Sequence, residues 1–246
     1  MVILKNKSIK KYIIYILPVI ILVLILTANF WVYGILSLFA PDSIREIKPL
    51  MEQYLEQKYN DKMKLDSASR TVSSWTIIGY AHRKNKTSIH FNVYYNKNKD
   101  GSYEFYDTYY KEYLKYQIEK RLNEISKQVY KKDFKLGQVL MMKFGKQESE
   151  KIELLGIDVS LDECVDIIKY TFTYEVELYG GFDEDKIDFM YELLNNIYEN
   201  GIIPYYIWYK FDSSKSVTYT LTESDKNGDL ISYDDFRKEI FNQYNK

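Results

Sequence analysis

The sequence predicts an α+β protein: an N-terminal transmembrane helix followed by two related α-β-β-(β)-α units with antiparallel sheets. Three observations predict it. Residues 12–40 contain no charged side chain. Beyond them, apolar residues recur with period two and then with a period near 3.6, the spacings of a half-buried strand and of an amphipathic helix. A signature of a turn glycine, then Tyr-Asp, occurs twice at one constant offset.

The first element is the run from Tyr12 to Ala40, YIIYILPVIILVLILTANFWVYGILSLFA. At about 1.5 Å per residue it is long enough to cross a hydrocarbon core of about 30 Å. Lys5, Lys7, Lys10 and Lys11 precede it with no acidic residue among them, whereas the far flank mixes Asp42, Arg45, Glu46 and Lys48. The positive-inside rule then keeps residues 1–11 as a cytoplasmic tail and places everything after Ala40 outside the plasma membrane, on a single-pass anchor in the lipid bilayer. Tyr12 and Tyr15 at one end, and Trp31 and Tyr33 at the other, suit the interfacial belts. The run exceeds the apolar core of a cleaved signal, about 7–15 residues. Leu38 also stands where cleavage wants a second small residue. Gly34 is alone, so no small-xxx-small pairing motif is present.

Composition bounds the external part. Four lysines lie before the span, leaving 30 basic against 35 acidic residues and a net charge of about −5. That excludes a nucleic-acid partner and an anionic-lipid patch as expectations. A single cysteine, Cys164, rules out an intrachain disulfide, so the fold rests on a hydrophobic core, with Cys164 expected as a buried thiol. The 26 tyrosines suit either an aromatic binding surface or, with so few alanines and prolines, a coding bias that places tyrosine in strands.

The first external unit is expected over 41–132. Asp42 or Ser43 caps a helix with a kink or restart at Pro49, running to about Asn60. Residues 72–81 are rich in β-formers, and Ile89, Phe91, Val93 and Tyr95 alternate with polar partners. Asp100-Gly101 signals a hairpin, and Tyr103 and Phe105 continue the alternation. From Asp107, the expected cap, Tyr110, Leu114, Ile118, Leu122, Ile125 and Val129 mark a long amphipathic helix. The second unit is expected over 133–246. FKLGQVLMMKFG and IELLGIDV read as strands, Ser160 with Glu163 as a capping box, and Tyr170 to Leu178 as a strand. Asp183 starts a helix stopped by Gly201; two strands follow, and a last helix begins near Asp234.

Gly101-x-x-x-x-Tyr106-Asp107-x-Tyr109-x-Lys111-Glu112 matches Gly228-x-x-x-x-Tyr233-Asp234-x-Phe236-x-Lys238-Glu239. The match predicts that Tyr103–Leu122 and Leu230–Tyr244 are equivalent strand-then-helix pairs. The residues Tyr54-Leu55-Glu56-Gln57-Lys58-Tyr59, then His90 to Tyr95, then Asp107-x-Tyr109, follow the single N-terminal span. In this the chain resembles Gram-positive single-pass membrane-anchored proteins of unknown function with small extracytoplasmic PepSY-like α+β units. The resemblance covers residues 12–120 best, and it implies no catalytic residue.

The sharpest motif is DKNGDLISYDDF, which looks like a calcium loop with Asp225, Asn227, Asp229, Asp234 and Asp235 as ligands. No register fits fully, the incoming segment is strand-like, and a hairpin turn with a helix cap is the plainer reading. His82 and His90 flank a turn at Lys84–Lys86 and can share a metal, though no third ligand is evident and two surface histidines are the ordinary case. The run Asp183-Glu184-Asp185 suits a helix N-terminus. No nucleophile triad, phosphate loop or Cys-x-x-Cys is present, so no catalytic residue and no cofactor are assigned. The expected function is that of a membrane-anchored extracytoplasmic binding protein for an envelope protein, peptide or cell-wall component. The alternatives are a carboxylate-based envelope hydrolase and an envelope structural or immunity protein.

Overall fold

A computed structural model describes residues 43–71, 76–98, 100–129, 134–141, 144–211, 215–221 and 230–245. The expected span between Tyr12 and Ala40 and the tail before it lie outside the described residues. Among those described, no helix is long and apolar enough to cross a membrane. The chain divides into two compact units, one of residues 1–81 and 93–106 and one of residues 82–92 and 107–246.

In the first unit α1 (Ile44–Tyr59) starts at Ser43, whose hydroxyl accepts from the Glu46 N–H at 3.2 Å while Glu46 reaches back to the Ser43 N–H. The helix continues through Pro49 without the expected restart and ends at Asn60 in the left-handed region, φ 47°. Ile47, Met51, Leu55 and Tyr59 form its buried stripe. A four-stranded sheet, of which residues 82–92 belong to the second unit, runs in the order β1 (Met63–Arg70), β2 (Ile77–Arg83), β3 (Lys86–Lys97), β4 (Tyr103–Asp107). The first strand, over 63–70, was not among the sequence expectations, because only Met63 and Leu65 of it are buried. At Gly79 a methyl group would meet the Leu65 side chain at 2.6 Å, so a larger residue there would make that side chain shift. Phe105 stacks on Tyr54 at 5.4 Å, and Tyr94 on Tyr106 at 4.5 Å.

In the second unit α2 (Tyr109–Val129) buries Tyr110, Leu114, Ile118, Leu122 and Ile125, the stripe the sequence predicts. Each such aliphatic burial stabilises by about 1.5–3 kcal/mol. Asp107 is not the residue at the helix start; it ends β4, and its carboxylate accepts the Tyr109 N–H at 2.9 Å. There follow β5 (Phe134–Met141), α3 (Lys146–Glu153), α4 (Leu161–Ile168), β6 (Phe172–Leu178), α5 (Glu184–Glu199), β7 (Tyr206–Phe211), β8 (Ser216–Thr220) and α6 (Tyr233–Tyr244). The second sheet has the order β5-β6-β7-β8.

Three expectations are corrected here. IELLGIDV is not a strand: it is the end of α3 and a turn, broken at Gly156 with φ 104°. The second sheet is mixed, because β6 and β7 are parallel. The 16-residue α5 between them carries the chain back to the start of β6, as a parallel pair requires. The second copy of the repeated signature is not a strand followed by an Asp-capped helix over Leu230–Tyr244. No strand precedes α6 over 230–232, and its cap is Ser232, which accepts the Asp235 N–H, with Asp234 already inside the helix. A serine at the boundary outcompetes an aspartate two places later because only the residue just outside the first turn can reach its free N–H groups.

Among the described residues eight tyrosines are buried, and five are exposed. Tyr174 and Tyr209 are fully buried, and their hydroxyls pair with Ser126 at 2.9 Å and the Met190 carbonyl at 3.1 Å. Burial raises both phenols well above their usual range.

Candidate functional site

A groove of about 560 Å³ opens in the second unit between the start of β3, the outer face of α2 and the N-terminus of α4. Its β3 wall exists because β4 is short. Thr108, just past β4, donates its N–H to the Asn92 carbonyl at 2.9 Å and accepts the Asn92 N–H on its hydroxyl at 3.0 Å. Residues 86–91 of β3 lie beyond that pairing and form one side of the groove through Lys86, Ser88 and Ile89.

The opposite wall is the loop before α4, clamped onto α2. Gln117 donates to the Val159 carbonyl at 3.2 Å and accepts the Leu161 N–H at 3.2 Å. Tyr109 donates to the Ile157 carbonyl at 3.3 Å. Glu163 accepts the Ser160 N–H at 2.8 Å, the return half of the predicted capping box. Asp158 on this loop receives Arg83 at 2.5 Å and Lys86 at 2.6 Å. Those hydrogen bonds, Arg83's first, hold its carboxyl down to about 2, and the Asp158 bond in turn raises Lys86. Lys86 also sits 5.1 Å from the Tyr113 ring centre.

The α2 floor presents the exposed Tyr116, with Lys120 and Arg121 one turn on. Arg121 reaches Asp162 at 3.4 Å, and Glu124 completes that end. A smaller depression beside it is lined by His90, Glu112, Lys115 and Glu119. Chemically the groove offers the start of β3, an aromatic face and cations at one rim. It holds mixed charge rather than one sign, which suits a peptide better than a polyanion.

The residues singled out from sequence fall elsewhere. Asp225, Asn227 and Asp229 lie outside the described residues. Asp234 and Asp235 sit in the first turn of α6, where Asp235 accepts the Ser232 hydroxyl at 2.7 Å. Asp183 caps α5, accepting the Lys186 N–H at 2.9 Å, as the acidic run predicts. Cys164 is buried, and burial with the Glu163 charge pushes its thiol up to about 11, so it is a poor nucleophile. His82 and His90 are brought together, with ring centres 5.5 Å apart.

The groove residues were missed, although a signal existed. The alternating run of β3 is far longer than that of β4, and unequal strand lengths leave an edge uncovered. Which helix and loop face that edge depends on the fold.

No family model and no curated protein matches the chain. Among solved structures, a DUF5037 family protein from Ruminococcus gnavus is similar at 16% identity and a TM-score of 0.36, over 79% of this chain and 87% of that one. A likeness at that level carries no argument about fold or function.

Proposed function

We propose that the chain is a membrane-anchored extracytoplasmic interaction protein whose groove takes an extended peptide segment of an envelope partner along the outer edge of β3. The observation that supports it most is the run of β3 past the end of β4, beside an exposed tyrosine and two cations. An extended segment can add to such an edge through main-chain hydrogen bonds, with flanking pockets supplying specificity. The second sheet is built differently. Its β5 edge gives the Gly137 and Val139 N–H groups to Asn123 and Glu119 of α2, and its β8 edge gives the Thr218 N–H to Gln243 of α6. Strand edges closed this way do not recruit another chain. Lys120 and Arg121 favour a segment bearing a carboxylate at that end. The anchoring part of the proposal rests on the uncharged run of residues 12–40 and the lysines before it.

A photo-crosslinking residue placed at Tyr116 of the full chain in living cells tests the reading. The expected result is a discrete adduct with one envelope protein, lost on joint Lys120→Glu and Arg121→Glu exchange. The same probe at the exposed Tyr179 should not give that adduct. An identical adduct pattern at both positions, or none at Tyr116, sinks the proposal.

A further inference from the structure

We propose that His82 and His90, the chain's two histidines, chelate one divalent transition-metal ion of the zinc, copper or nickel class. This stands apart from the groove reading and does not depend on it.

Their placement follows from strand periodicity. On β3 the buried residues are Ile89, Phe91, Val93 and Tyr95, so His90 leaves the opposite face. On β2 Ile77, Gly79 and Ala81 are buried in the same alternation, which puts His82 on the face opposite them. The two strands are joined by a tight turn at Lys84-Asn85, so the hairpin fixes the distance between the two backbones. The rings stand 5.5 Å apart between centres and are inclined by 60°. One nitrogen of each lies within 4.8 Å of the other.

An ion held at about 2.0–2.1 Å from each of two imidazoles keeps their nitrogens at most about 4 Å apart. From within 4.8 Å that separation is in reach of side-chain rotation. An inclined pair also lets both lone pairs aim at one point, which stacked rings cannot do. Neutral imidazole is a borderline donor, so the pair selects zinc, copper or nickel over calcium and magnesium. His82 is only 8% exposed, which fixes one ligand, whereas His90 is exposed and provides the entry path. An ion on this pair keeps coordination positions for water, so it is exchangeable and its affinity moderate.

The test uses the purified full-length chain carrying no histidine tag. Zinc chloride and nickel chloride are titrated separately by calorimetry, with calcium and magnesium chloride as controls. The proposal expects one equivalent of zinc or nickel, and a loss of affinity of about tenfold or more in His90→Ala. His90 is exposed, so this variant leaves the fold intact, and circular dichroism confirms it. Because the chain has two histidines, long-range proton–nitrogen spectra read both rings directly. Zinc must shift a nitrogen of each. Absence of zinc and nickel binding, binding indifferent to His90→Ala, or a shift confined to one ring overturns the site.

Discussion

Asp158 is more than half exposed, yet it ties the α4 loop to two cations from the β2–β3 hairpin. Its carboxyl is lowered to about 2, so its contribution to stability is complete above its ordinary value near 4 and is lost as pH falls through about 2. Lys86 is raised, so its part persists at neutral pH and is lost only above its usual alkaline range. Solvent screening keeps such a pair to about 1 kcal/mol or less. Asp158→Asn should therefore lower the melting temperature at pH 7 by no more than about 2–4 °C. The gap between variant and parent should narrow steadily from pH 4 towards pH 2. Thermal unfolding followed at pH 7, 4 and 2 checks this; a gap that widens in acid would show that the pairing has been misjudged.

Among the elements, β5 and α2 show how an edge is closed. Gly137 sits at a register irregularity between Lys135 and Gln138, and a methyl group there would lie 2.3–2.5 Å from the Tyr174 ring. Asn123 accepts the Gly137 N–H at 2.7 Å and donates to its carbonyl at 3.1 Å. Asn123→Ala leaves both groups without that partner, and we expect a cost of about 2 kcal/mol in denaturant unfolding. An uncovered β5 edge also invites pairing between copies, so the variant should gain concentration-dependent association by sedimentation. Unchanged stability together with unchanged sedimentation would refute the role of Asn123 as an edge cover. The helix starts were legible at this scale: the Ser43 and Asp183 side chains accept free N–H groups, and at Ser160 the Glu163 carboxylate takes the N–H and the hydroxyl. Ile152 to Val159 was misread because its apolar residues fit either spacing over so short a run. Gly156 and the exposed Leu154 decided for a turn.

For the whole molecule, the proposed orientation places the C-terminus outside the membrane. A reporter fused after Lys246 should be active only in a form that works outside the membrane, and its cytoplasmic counterpart should be silent. Four lysines against no acid before the span are the basis. Activity of the cytoplasmic reporter alone would reverse the topology and remove the envelope partner from consideration.

The sequence by itself determined the local periods: the stripe of α2, the alternation of β3, the polar starts of α1, α4 and α5, and the buried thiol of Cys164. These follow from spacing and composition, which are properties of neighbours along the chain. It did not determine that β6 and β7 run parallel, that Ser232 rather than Asp234 starts α6, or that the edge of β3 faces a groove walled by α2 and the loop before α4. Nor did it show that His82 is buried beside His90. Those features are set by contacts between residues far apart in the chain, such as Gln117 with Leu161 and Arg83 with Asp158. Their geometry exists only once both partners are held by the tertiary fold.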